Sequence, residues 1–258
     1  MKGFDRSWQR RRIGFCLSVA VTLVLILGAV TAGAETKKIV LGFTEDEESE
    51  TLPTGWEHIG YFGKAKNTLS LVTEGTRTVV HMKSLNSISS LMKRPDVRIT
   101  EYPILTWRWK IDRAVGMAIE SKRDRNDCAA RIRIIFGREL KDDPINIPAV
   151  KEILKRMGFT MPRLEPPGMK IDYVWGNYAK KGAVIDYPGA RNHKIVVVER
   201  GNDKAGTWVR EKRNYREDFR RFFGLEPPGI IAIAVLTDTD QTNEGVEADY
   251  SSIMLLGQ

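Results

Sequence analysis

The sequence predicts a mostly β protein, a two-layer antiparallel β-sandwich carrying a short helical insertion and one further helix. Three observations carry that expectation. Short runs rich in Val, Ile, Thr and aromatic residues recur from Ile39 to Leu255, separated by turn residues. Long helical periodicity is scarce. At 258 residues, 42% hydrophobic and 29% charged, the chain has enough apolar material for one large core, which excludes disordered and collagen-like classes.

Arg10 to Arg12 precede an apolar stretch, Ile13 to Val30, which ends in Thr31-Ala32-Gly33-Ala34 and then turns polar. That pattern reads as a signal peptide over 1–34 with cleavage after Ala34 and a periplasmic or secreted product. The alternative is an uncleaved segment anchoring the protein to the inner membrane, since the apolar stretch just reaches spanning length. Residues 35–258 are expected to form a single domain. Within it Cys128 is the sole cysteine, so an internal disulfide is excluded, and its place in a strand reads as a buried free thiol.

Ile39 to Phe43 is the first expected strand and Trp56 to Tyr61 an extended piece. Asn67 to Thr73 and Thr78 to Lys83 flank Glu74-Gly75-Thr76 as a hairpin. Ser87 to Lys93 reads as one or two helical turns closed by Pro95. In Ile104 to Ile111, period two sets Leu105, Trp107, Trp109 and Ile111 on a core face and Thr106, Arg108 and Lys110 on a polar one. Ala129 to Phe136 repeats the pattern, with Ala130, Ile132, Ile134 and Phe136 opposite Ala129, Arg131, Arg133 and Ile135. Met169 to Trp175, Lys194 to Arg200, Ile230 to Thr237 and Tyr250 to Leu255 complete the set. Two helical stretches interrupt it: Ile147 to Met157, inside a Pro-rich insertion over 138–170, and Tyr215 to Phe223, stopped by Gly224 and Pro227-Pro228.

The formal net charge is +8, and removal of the N-terminal segment, with its five basic residues and Asp5, leaves +4. Basic and acidic residues are interspersed, and no aromatics alternate with a basic stripe, so nucleic acid is not an expected partner. The most basic stretch, Arg210 to Arg221, reads as a solvated helix face. Phosphate loops, nucleophile elbows and zinc signatures are missing.

The densest polar cluster, Thr237-Asp238-Thr239-Asp240-Gln241-Thr242-Asn243-Glu244, leaves an apolar strand directly. Such an oxygen array suits sugar hydroxyls or a hard cation, calcium being the one cofactor considered; alternatively it is a turn whose side chains satisfy backbone groups. Asp127 leads into the strand bearing Arg131 and Arg133, which need carboxylate partners, with Asp127, Asp238 and Asp240 as candidates. Trp107 and Trp109 belong to the core face, while Trp175 and Trp208, beside turns, are freer to meet a ligand. The candidate ligand contacts are therefore Asp127, Arg131, Trp175, Asp238, Asp240 and Asn243.

Four blocks, Leu105 to Lys110, Asn126 to Arg131, Tyr173 to Asn177 and Thr237 to Thr242, resemble in this order a bacterial exported family catalogued only as a domain of unknown function, serial three-zero-four-seven. The resemblance implies a galactose-binding-like jelly roll, the sandwich of many carbohydrate-binding modules, and supplies no catalytic residue. Cys128 and the insertion after Arg138 depart from the family's pattern. Three functions follow as expectations. The first is non-enzymatic binding of a glycan or other polyhydroxylated ligand, an envelope component. The second is an envelope polysaccharide hydrolase with paired carboxylates in a cleft. The third is a structural or assembly factor in which Asp127 and Asp238 are buried against Arg131.

Overall fold

The computed structural model describes residues 37–43, 52, 54–137, 156 and 165–257, all within the unit Thr36–Gln258. Among them the alternating runs fold as strands β1 Lys38–Gly42, β2 Trp56–Gly60, β3 Thr68–Glu74, β4 Arg77–Leu85, β5 Ile88–Lys93, β6 Ile104–Ile111, β7 Cys128–Phe136, β8 Met169–Gly176, β9 Val184–Tyr187, β10 Ala190–Arg200, β11 Val209–Asn214, β12 Ile230–Asp238 and β13 Gly245–Leu256. Helix α1, Tyr215–Phe223, follows β11.

The strands build two sheets. Sheet 1 runs β11-β6-β13-β4-β3, with β1 also on β13, and sheet 2 runs β2-β5-β12-β7-β8-β10-β9. Eight strands, β4 to β8 and β11 to β13, are divided between the sheets as β4-β13-β6-β11 facing β5-β12-β7-β8. Numbered one to eight along the chain, that order is 1-8-3-6 over 2-7-4-5, the double Greek key of a jelly roll. Every pairing is antiparallel except β8 with β10, which is parallel, a departure from the all-antiparallel expectation. It arises because β9 passes beyond β8 and β10 returns into the space between them, pairing antiparallel with β9.

Period-two alternation sends Leu105, Trp107, Trp109 and Ile111 of β6 and Ile132, Ile134 and Phe136 of β7 into one core between the sheets. Trp107 stacks on Tyr173 of β8 with centroids 5.5 Å apart, and Trp109 meets Trp175 at 5.8 Å. α1 closes one end of this core: Phe219 lies 4.7 Å from Phe136. Asn214 caps the helix by accepting the Glu217 N–H, and Gly224 ends it in the left-handed region at φ 68°.

Two expectations are corrected. Ser87 to Lys93 contains strand β5, not helical turns: it pairs along both edges with β2 and β12, and both its faces are covered, Leu91 in the inter-sheet core and Met92 in the cluster with Ile135 and Leu236, so its alternation is lost. Of its buried serines, Ser89 sets its Oγ 2.8 Å from His58 Nε2. Arg210 to Asn214 belongs to edge strand β11, so only the second half of the basic stretch is helical. The expected helix Ile147 to Met157 lies outside the described residues apart from residue 156; at the end of the insertion, Met169 and Lys170 already belong to β8. The expected signal peptide also lies outside the described residues. Among the described residues no helix is long and apolar enough to cross a membrane.

Candidate functional site

Arg131 and Arg133 sit two residues apart on β7 and so share the face turned away from the inter-sheet core. Register places Asp172 of β8 directly opposite Arg133. Its carboxylate accepts from Arg133 Nε at 2.7 Å and Nη2 at 2.8 Å, a bidentate pair. Arg131 Nη1 lies 3.5 Å from the same carboxylate, and His193 Nε2 lies 2.9 Å from it without hydrogen-bond alignment. Burial alone pushes the Asp172 carboxyl up, but Arg133, His193 and Arg131 together hold it well below the usual carboxylate range. Arg133 Nη1 also donates to Glu165 at 2.7 Å, and Glu165 further accepts from Lys170 and from Tyr61.

At the other end of the same face, Arg131 Nη2 lies 3.5 Å from Asp238 and donates to the Asn126 carbonyl at 3.0 Å. Asp127, Asp238 and Asp240 converge here, each offering a carboxylate oxygen within 4.8 Å of the others. Asp127 Oδ2 accepts the Thr242 N–H at 2.8 Å, the Thr242 hydroxyl at 2.7 Å and the Gln241 N–H at 3.1 Å. It thereby clamps the turn after β12, whose Asn243 adopts φ 57° and donates its N–H to Thr239. Asp240 is paired with Lys64. Burial raises the Asp238 carboxyl well above its ordinary range; Arg131 opposes this, and Asp127 and Asp240 add to it. The direction follows from geometry: Asp238 has one long contact to a guanidinium that Asp172 shares, and two carboxylates beside it.

The structure thus brings Asp127, Arg131, Asp238 and Asp240 together, as the sequence suggested, but inside the protein. Asp127 is 0% and Asp238 1% exposed. Asp238 is buried against Arg131, while Asp127 binds the turn instead. Neither carboxylate opens onto a cleft, the arrangement a hydrolase requires. These three acids are also the one group among the described residues whose oxygens converge closely enough for a cation, and Lys64 and Arg131 already compensate part of their charge. Asn243 is exposed on the turn. Trp175 is corrected: its ring lies in the core against Trp109, and its indole N–H donates to the Gly201 carbonyl at 3.0 Å.

Trp208 is the other tryptophan that the sequence placed beside a turn. It immediately precedes β11 on the outer face of sheet 1, half-buried, with Lys110 Nζ 5.0 Å and Arg108 5.2 Å from its ring centroid. Its N–H donates to Glu74 at 2.5 Å, and Lys110 bridges Glu74 and Asp249, each at 3.0 Å. Beyond Lys110 the face continues with Asp249 of β13, which accepts from His81 Nδ1 of β4 at 2.7 Å. The outer face of sheet 2, by contrast, is closed over its middle strands, with Ile135, Ala234 and Leu236 buried completely. The alternation of Ile104 to Ile111 had marked Thr106, Arg108 and Lys110 as polar-facing; the strand Val209–Asn214 that lies beside them was missed.

The fold therefore defines a jelly-roll β-sandwich with a buried charged bridge on one sheet and an open polar face on the other. The chain belongs to the family described as "Protein of unknown function (DUF3047)", whose model matches residues 54–254. No curated protein matches it. Among solved structures it is similar to endoglucanase 3 of Trichoderma harzianum, from family GH12 (TM-score 0.43, 6% identity, covering 88% of this chain and 99% of that one). It is also similar to a family 29 carbohydrate-binding module from Piromyces equi (TM-score 0.34, 5% identity, 87% and 92% covered). A third is a variant of a family 29 module complexed with cellulohexaose (TM-score 0.38, 9% identity, 86% and 92% covered). These likenesses are distant, and the jelly roll is defined by the strand order itself.

Proposed function

We propose that the protein is an exported, non-catalytic binding module that holds a glycan on the outer face of sheet 1. One observation carries this reading: Trp208 stands half-exposed beside the hydrogen-bonding outer face of sheet 1, its N–H held by Glu74, with Lys110 and Arg108 lying over its ring. A sugar ring presents an apolar face to an aromatic plane and hydroxyls to its surroundings, and this arrangement offers both complements. The carboxylates expected to make ligand contacts, Asp127, Asp238 and Asp240, are instead engaged by the turn after β12, by Arg131 and by Lys64, which supports binding over hydrolysis.

The test is titration calorimetry of the full chain against a panel of soluble glycans, with the Trp208→Ala variant alongside and reducing-end release measured in parallel. A glycan that binds the wild type and loses about tenfold or more in affinity on truncation of the indole supports the reading. Binding unchanged in Trp208→Ala, or no binding across the panel, overturns it, and steady release of reducing ends overturns its non-catalytic part.

A further inference from the structure

Resting on the glycan reading, the residues around Trp208 specify a class of ligand. Trp208, Arg210 and Lys212 alternate along one extended segment and so point to the same face, about 7 Å apart at the usual strand rise. Arg210 pairs in register with Arg108 of β6, and Lys212 with Thr106. The result is a two-row strip along an edge of sheet 1: an indole, then Arg210 and Lys212, backed by Lys110, Arg108 and Thr106. Arg210 and Lys212 are exposed and form no ion pair among the described residues. Glu211 alternates to the other side of β11, and Glu74 and Asp249, the acids beside Lys110, are both engaged by it, with Trp208 and His81 as further donors. A positive charge line beside one stacking surface is complementary to a linear polymer that repeats both a ring and an anion.

We infer that this strip binds a linear acidic glycan, a chain of sugar rings bearing carboxylates, with Trp208 against one ring and Arg210 and Lys212 on the carboxylates of its neighbours. Guanidinium and ammonium groups on a rigid strand hold fixed spacing, so successive charges are met without ordering a loop. A single-stranded nucleic acid fits less well, because successive bases call for successive aromatic platforms and the strip has one.

The experiment compares polygalacturonate, a neutral cellulose ether and single-stranded DNA as probes of the full chain, in the wild type, in Trp208→Ala and in the double variant Arg210→Gln with Lys212→Gln. Melting temperatures of all three proteins verify folding. Polygalacturonate is expected to bind, and to lose about tenfold or more in affinity both in the double variant and on raising salt from about 50 to about 500 mM. Binding unaffected by the double variant overturns the inference, as does DNA binding of equal strength, which marks unselective attraction of anions. If the neutral ether binds in a Trp208-dependent way and polygalacturonate does not, the acidic-glycan inference fails while the glycan reading stands. If no glycan binds, both fail.

Discussion

Asp238→Asn separates two accounts of the buried bridge, because the side chain is within reach of Arg131 yet surrounded by carboxylates. With its carboxyl raised well above the ordinary range by burial, Asp127 and Asp240, the folded state keeps a proton on Asp238 that the unfolded chain releases. The sign follows from that proton. A raised carboxyl contributes stability that is present below the unfolded value near 3.8 and is lost as pH rises toward the folded value. Each pH unit in that interval removes about 1.4 kcal/mol from the wild type. Asparagine has the shape of the protonated acid and no charge to release, so the variant escapes this loss.

The stabilities of Asp238→Asn and wild type should therefore diverge with pH in favour of the variant. For a domain of this size about 1.4 kcal/mol corresponds to about 3–6 °C in melting temperature. Denaturant titrations and thermal scans of both proteins at half-unit steps from pH 4 to pH 8 measure the divergence. Two parallel curves, with the variant lower by about 3–5 kcal/mol throughout, would refute the reasoning: that is the signature of an ionised Asp238 whose loss leaves Arg131 uncompensated.

Three further outcomes are expected. Asp172→Asn removes a carboxylate held below its usual range despite burial, so it should cost about 3–5 kcal/mol near neutrality, with the deficit shrinking as pH falls below the unfolded value near 3.8, where the unfolded wild-type chain takes up a proton that folded Asp172 does not; denaturant titration at pH 7 and at pH 3 checks this. Burial pushes the Cys128 thiol up to about 12, so its alkylation by iodoacetamide at pH 8, read at the Cys128 peptide, should occur only in denaturant, and modification of Cys128 in the native protein at the rate of a free thiol would contradict the structure. Glu211, half-buried on β11 and raised by that burial to about 7, favours folding while protonated, a contribution lost as pH rises through 7. Glu211→Gln should therefore melt above the wild type at pH 8, and that advantage should disappear toward pH 4.5 or below.

How much of this was legible depended on which side of a strand carried the information. Ile104–Ile111 and the hairpin around Gly75 were readable because one face is core and the other polar, and Tyr215–Phe223 because its apolar spacing ends at Gly224. Ile88–Lys93 was not, since a strand covered on both faces keeps no alternation. Val209–Asn214 was not either, because an edge strand carries charges that read equally well as a helix surface. Trp175 and Trp208 looked alike in sequence, each beside a turn. What separates them is tertiary: Trp175 packs against Trp109 and gives its N–H to the segment after β10, whereas Trp208 stands at the rim of the other sheet.

The charged residues were legible as a group and illegible in their burial. Arg131 and Arg133 announced a need for carboxylates, but Asp172 and Glu165, which meet Arg133, come from chain segments whose register no local pattern encodes. That register gives the bridge a role in the fold. A slip of β8 by one residue against β7 would turn Asp172 toward the inter-sheet core, leave Arg133 without its bidentate partner, and carry Tyr173 and Trp175 away from Trp107 and Trp109. The penalty falls on both faces of the sheet at once, since an unpaired buried charge and a broken aromatic stack arise from the same displacement. The four charged residues expected to touch a ligand thus belong to the bridge and its turn on sheet 2, where two carboxylates and a guanidinium help lock strand pairing, while the strip bearing Trp208, Arg210 and Lys212 lies on the open face of sheet 1.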